Sequence, residues 1–263
     1  ASWLARVLFR DERARALFAG LAAHAILPLD KPITSAFGLI MGLLGHSTGW
    51  TLPRGGAQKI TDALAAYLRS LGGEIVAGRR IESLDELPPT RAVLLDVTPR
   101  QLLSIAGDRL RGGYRKNLAQ YRYGAGVFKM DFALDAPVPW RAPECARAGT
   151  VHLGGTLEEI IASERAVERG NVSAAPFVLV AQPSLFDETR APRGKQVVLA
   201  YCHAPNGWSG DATKMIEDQI ERFAPGFRAR ILARHTFTPA AMEQHNANYI
   251  GGDINGGAQD LLQ

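Results

Sequence analysis

The sequence lacks most of the motifs by which proteins hold nucleotides and metals. No G-x-G-x-x-G turn occurs among its 27 glycines, so it carries no dinucleotide-pyrophosphate turn of its own. Its 2 cysteines, Cys145 and Cys202, are too far apart for a metal or redox motif. That excludes a disulfide framework and fits a reducing cytosol. His152, His203, His235 and His245 show no ligand spacing and there is no H-E-x-x-H, so no metal site is expected. Cys202 and His203 are adjacent on an expected strand and point to opposite faces. Gly207-Trp208-Ser209-Gly210 is not a nucleophile elbow, because its second glycine comes one residue early. The longest apolar run, Ala36 to Gly45, is interrupted by glycine. It falls well short of the ~20 residues that span a bilayer. There is no basic block either. Arg79-Arg80, Arg109, Arg111 and Arg115 are scattered and the net charge is only +4, which reads as a solvated face and not as a nucleic-acid site. No internal repeat is visible.

What is present suits a globular protein. Hydrophobic residues make up 46% and charged residues 21% of 263 positions, enough for one large domain or two small ones. The most informative stretch is Leu52-Pro53-Arg54-Gly55-Gly56. A helix follows it, with Ile60, Ala63, Leu64, Tyr67, Leu68 and Leu71 at amphipathic spacing. Gly72-Gly73 then stops the helix. A short strand over Glu74 to Val76 comes next, and Arg91 to Val97 reads as a strand buried on both faces. Pro99 to Ala106 reads as a helix with proline in its first turn.

Either side of this stretch the pattern differs. Residues 3–27 read as helical, with Pro28 ending the run, and Pro32 to Gly49 as a second helical segment. Beyond Gly112-Gly113, Phe128, Met130, Phe132 and Leu134 alternate with Lys129, Asp131 and Ala133, the period of a half-buried strand. Further strands are expected at Thr150–Leu153, 177–182, 196–203 and 227–237. Helices are expected at 156–169 and 212–223. The fold class is thus α+β or α/β: a mixed, largely antiparallel sheet flanked by helices.

Several segments resemble the phytoene-desaturase-like flavoproteins of the FAD-dependent amine-oxidase fold. They are 49–56, the helix after it, Gly72-Gly73-Glu74-Ile75, and 122–129 (Arg-Tyr-Gly-Ala-Gly-Val-Phe-Lys). Residues 148–155, 221–227 and 248–254 add to them. The resemblance covers roughly Trp50 onward and implies three regions. Residues 1–50 would be a helical part of the substrate region. Residues 51–113 would be an incomplete piece of a Rossmann-like FAD domain, and 114–263 the substrate-binding sheet domain. Such proteins start with a Gly-rich turn for the FAD pyrophosphate and close with a second Gly-rich segment. This sequence, running from Ala1 to Gln263, therefore resembles an excised or truncated central portion. FAD is expected in the complete parent enzyme and not on this chain alone, which is then inactive by itself.

The resemblance also implies site residues, each with a plainer alternative. Asp96 and Thr98 would approach the FAD phosphates, or Thr98 simply caps a helix. Ile81 would lie at the adenine, or be a strand core residue. Arg54, Gly55 and Gly56 would lie near the flavin and substrate, or only begin a helix. The loop from Gly251 to Gly257 would border the substrate pocket, or be a flexible terminus. Phe37, Leu39 and Met41 with Phe128 and Met130 would line a pocket for an apolar substrate, or fill the core. The stretch from Phe37 onward also suits a membrane-docking face. No catalytic residue can be named, since in such enzymes the flavin supplies the redox chemistry. The expected setting is cytoplasmic or peripheral to a membrane, with self-association of the isolated chain. Two other readings stand beside this one: a non-catalytic interaction module and a lipid-binding module.

Overall fold

The computed structural model describes residues 1–261. Helix α1 (Ser2–Leu8) ends at Phe9 in extended backbone. Helix α2 (Glu12–Ala22) restarts where the Asp11 carboxylate accepts the Arg13 amide. The single run expected over residues 3–27 is therefore two helices, split by an internal N-cap. Helix α3 (Thr34–Ser47) packs on α2. The next region holds α4 (Gln58–Ser70), α5 (Pro99–Ala106) and α6 (Gly112–Ala119). The remainder supplies β1 (Gly126–Leu134), β2 (Thr150–Leu153), α7 (Leu157–Glu168), β3 (Val178–Ala181), β4 (Gln196–Ala204), α8 (Thr213–Phe223), β5 (Ile231–Phe237) and α9 (Pro239–His245).

The five strands form one sheet in the order β2-β3-β4-β1-β5. Every pairing is antiparallel, so the expected mixed sheet is corrected to an all-antiparallel one. One face carries Phe128, Met130, Phe132, Val180, Val198 and Cys202, and α8 covers it with Ile216 and Ile220. A second core joins Ala5, Phe18, Ala22 and Leu29 to Leu157, Ile160 and Ile161 of α7 and to Phe177. Each fully buried large apolar side chain contributes about 1.5–3 kcal/mol, so these two clusters dominate the stability. Glu159 on α7 and Arg222 on α8 pair at 2.7 Å and join the two clusters. The capping box of Thr156 and Glu159 starts α7 where the 156–169 pattern places it.

Residues 51–119 are built differently. Thr98 and Ala106 are their only buried residues, and α4 buries none. The strands expected at Glu74–Val76 and Arg91–Val97 are absent, and Leu94 is 96% exposed. A strand needs partners for its backbone groups, and neither segment pairs with the sheet. No strand of the expected Rossmann-like piece therefore forms; this region is helix and loop. Amides in α4 should consequently exchange with solvent far faster than those of β1 and β4, whose side chains fill the core. Hydrogen-exchange mass spectrometry checks this, and equal protection in α4 and β1 would refute it. Among the described residues no helix is long and apolar enough to cross a membrane.

Candidate functional site

Strand pairing places side chains from all five strands in rows on the sheet face opposite α8. Residues directly opposite one another in an antiparallel ladder share a face. His152, Leu179, Tyr201, Lys129 and Phe237 form one row. Thr150, Ala181, Leu199, Asp131 and His235 form the next. The Lys129 ammonium pairs with Asp131 and sits 5.0 Å from the centre of the Phe237 ring. His235 stacks edge-on against the same ring at 4.6 Å. Burial, with the charge of Glu164, pushes the Tyr201 phenol up to about 12. Tyr201 therefore stays protonated and can donate a hydrogen bond, but it cannot act as a base near neutral pH.

Beyond Tyr201 the same face becomes a buried polar cluster. His203 Nδ1 lies 2.9 and 3.0 Å from the two carboxylate oxygens of Glu164 on α7, and both residues are almost fully buried. Phe177 packs against the rings of both His203 and His152. His152 Nε2 in turn lies 3.1 Å from His24 Nε2, in the turn that follows α2. Burial lowers His24 and His152 to about 4, with neighbouring histidines adding to the effect. Both rings are thus neutral near pH 7, one donating to the other. Among the described residues, no group of three or more His, Cys, Asp or Glu side chains could hold a metal ion.

Two ties dock residues 51–119 onto the sheet domain. In the first, the Asp187 carboxylate accepts the Gly55 amide at 2.6 Å, and the Arg190 guanidinium donates to the Gly55 carbonyl at 3.1 Å. Gly55 and Gly56 both adopt positive φ, +86° and +90°, which explains the glycine pair. Arg54 pairs with Glu188 at 3.5 Å across a groove of about 810 Å³. In the second tie, Asn248 accepts the Thr98 amide at 3.1 Å and donates to the Asp96 carbonyl at 3.4 Å. Arg100 pairs with Glu243 there, and Gln101 donates to the Ala247 carbonyl, beside a polar cleft of about 620 Å³.

The glycines of 124–126 and 251–257 form a clasp. A side chain at Gly126 would come within 2.5 Å of the Gly251 carbonyl oxygen, so the two backbones lie in contact. Asp253, 1% exposed, accepts the Gly124 amide at 2.7 Å and the Asn255 amide at 2.8 Å. Burial raises its carboxyl above the ordinary range, and these backbone donors oppose the rise. The loop is therefore a structural junction between the two glycine segments.

The residues expected at a cofactor and substrate site are dispersed. Arg54, Gly55 and Gly56 sit at the first tie, Asp96 and Thr98 at the second, and Ile81 is half-buried in a loop. Phe128 and Met130 lie in the α8 core, whereas Leu39 is 54% exposed on α3 and Phe37 and Met41 are half-buried there. The structure does not bring the α3 set and the β1 pair into one cluster. A dinucleotide cradle needs free backbone donors. Here the amides of Gly55, Gly56, Thr98 and Arg100 go to Asp187, Pro53, Asn248 and Tyr123. These residues by themselves therefore do not fit the flavin dinucleotide. Sequence reading missed Glu164, His24 and Asp187. His152 and His203 were visible as residues, but nothing local showed that they share a sheet face.

No family model matches the chain. It is 26% identical to the mouse "Pyridine nucleotide-disulfide oxidoreductase domain-containing protein 2", over 99% of this chain and 52% of that protein. It is 25% identical to a "Phytoene desaturase (lycopene-forming)" of Pseudescherichia vulneris, over 88% of this chain and 50% of that protein. Among solved structures, an oxidoreductase from Methanosarcina mazei superposes with a TM-score of 0.60 at 17% identity, covering 89% of this chain and 55% of the other; at that identity the likeness concerns the fold. The chain thus spans about half the length of the curated relatives it matches. Both curated relatives carry the names of oxidoreductases, at identities that show similarity to such proteins.

Proposed function

We propose that the chain forms the substrate-side half of an FAD-dependent oxidoreductase acting on an apolar substrate, and that it does not hold the flavin alone. The observation that carries the reading is the unburied state of residues 51–119. This region has the apolar pattern of an α/β unit, with Ile60, Leu64, Leu68 and Val93 exposed and no strand formed. Such a pattern is buried once a neighbouring sheet accepts it. The half-length match to oxidoreductases supports the same conclusion. Self-association of the isolated chain through these faces belongs to the same proposal.

In this reading the flavin, when bound, supplies the redox chemistry. The chain's own residues position substrate: Tyr201 as a neutral donor, Phe237 and Leu199 as apolar contacts. The Lys129–Asp131 pair adds no net charge beside an apolar guest. Helix α3, with Leu39, Ile40, Leu43 and Leu44 exposed, offers an apolar approach from a lipid phase.

Titration with FAD, followed by flavin fluorescence, should show no saturable one-to-one binding at micromolar concentration. Stoichiometric binding there would overturn the assignment of the flavin to the missing half. The converse experiment fuses the chain to the part of the mouse relative outside the matched region. The fusion should acquire a flavin spectrum, and a folded but colourless fusion would count against the oxidoreductase reading.

A further inference from the structure

The groove beside the first tie has features that residue packing alone does not explain. Its apolar wall is Trp50, Leu52 and Phe186, which are 61%, 55% and 53% exposed. Its floor is Gly149: a side chain there would meet Leu52 at 3.6 Å and Phe186 at 3.8 Å. The two walls thus converge on bare backbone. Large apolar side chains held apart around a bare floor make a slot for a flat or extended apolar body.

The charges of the groove balance in pairs, with one exception. Arg54 faces Glu188, and Asp187, which accepts from the Gly55 amide and from Thr189, lies in the field of Arg190. Among the described residues, Arg147 has no acidic partner within ion-pair distance. The groove thus presents one cation, Arg147, that no described carboxylate pairs with. A guanidinium matches a carboxylate in a planar, bidentate fashion.

The site is also rigidly built. Gln182, 2% exposed, donates to the carbonyls of Cys145 and Ala148 at 3.1 and 3.0 Å and accepts the Trp140 indole at 2.9 Å. Its own amide donates to the Gly149 carbonyl at 2.8 Å. One buried amide side chain therefore fixes the backbone on both sides of Arg147, while the Gly55–Asp187 bond fixes the opposite rim. Preorganisation of this kind reduces the ordering cost of binding.

We propose that this groove binds an amphipathic monocarboxylate, its carboxylate on Arg147 and its apolar body between Leu52, Phe186 and Trp50. The binding is a property of this chain and requires no flavin, so it stands or falls apart from the oxidoreductase reading.

Isothermal titration of the purified chain with decanoate and with decan-1-ol tests it. Decanoate should bind one to one and at least about 10-fold tighter than the alcohol, the scale of one charge-assisted bond. Arg147→Ala should reduce decanoate to the affinity of the alcohol, with Arg147→Lys in between. Gly149→Leu, which fills the floor, should abolish both. Thermal melts establish that each variant is folded. Equal affinity for acid and alcohol, an unchanged decanoate affinity in Arg147→Ala, or no binding of either up to millimolar concentration would overturn the proposal.

Discussion

Lowering the pH from 7 to 4 should remove several kcal/mol of folding stability, with the loss beginning near pH 6.5. The source is the His24–His152 pair, whose rings are held at about 4 by burial in the fold. Unfolded histidine titrates near ~6.5. Between these values the unfolded chain binds more protons than the native one, so stability falls as pH falls. Above the unfolded value the pair contributes its full stability, and below about 4 the contribution is gone. A shift of this size corresponds to on the order of 3 kcal/mol per ring. Protonating one ring breaks the mutual hydrogen bond, so the two contributions are not additive. Domains have only about 5–15 kcal/mol in total, so the chain should be close to unfolding at pH 4. The facing groups are His203 on β4, Glu164 on α7 and Tyr201 on β4, with Gly20 of α2 packed on the His152 ring. Carboxylates held low by ion pairs, such as Asp218 and Glu159, act only in the more acid carboxylate range. The window from 6.5 to 5 therefore lies above these carboxylates; Asp253, raised by burial, acts with the opposite sign, and comparison with a variant lacking both rings separates it from the histidines. Urea melts across this window, on the parent and on His24→Phe/His152→Phe, decide the matter. An equally steep pH dependence in the double variant would exclude the pair as its cause.

Substituting Glu164 by leucine should destabilise the fold by about 3–5 kcal/mol, the cost of leaving a buried polar partner alone. His203 would then keep an imidazole nitrogen in an apolar site between Phe177 and Tyr201 with nothing to meet it. Glu164→Gln retains an acceptor and should cost less. The discriminating variant replaces both residues, Glu164→Leu with His203→Phe. It should recover most of the loss, because the penalty comes from the orphaned partner and not from the absence of the pair. Denaturant titrations of the two single variants and the double variant form a closed cycle. Additive losses would show that the pair is not coupled.

Much of the sheet domain was legible in the sequence because its signals are local. The alternation from Phe128 to Leu134 marks β1, the capping box marks the start of α7, and the proline of α5 sets its first turn. The failures share a physical cause. Arg91 to Val97 has the composition of a buried strand, but burial depends on a neighbour, and this chain supplies none. The Gly55-Gly56 turn was readable as a helix entry, whereas its partner Asp187 lies 132 residues away. His152 and Lys129 reach one row through three successive pairings across two intervening strands, β3 and β4, which no short window contains. The paired anions and cations that orient the candidate site are tertiary facts of the same kind.

The glycine clasp sets an order on biosynthesis. Asp253 holds Gly124 across 129 residues of chain, and β1 begins at Gly126 beneath the same loop. At a synthesis rate of ~5–20 residues per second, the start of β1 waits roughly ten seconds for its cover to emerge. During that interval β1 can pair with β4 as soon as β4 has been made, but its first residues remain open. The ring closes last, after α8 and β5 have taken their places. A ribosome stalled after Phe237 has left the exit tunnel but before Gly251 has done so would therefore hold a nearly complete sheet with one frayed end, a ready substrate for chaperones that bind exposed strand edges.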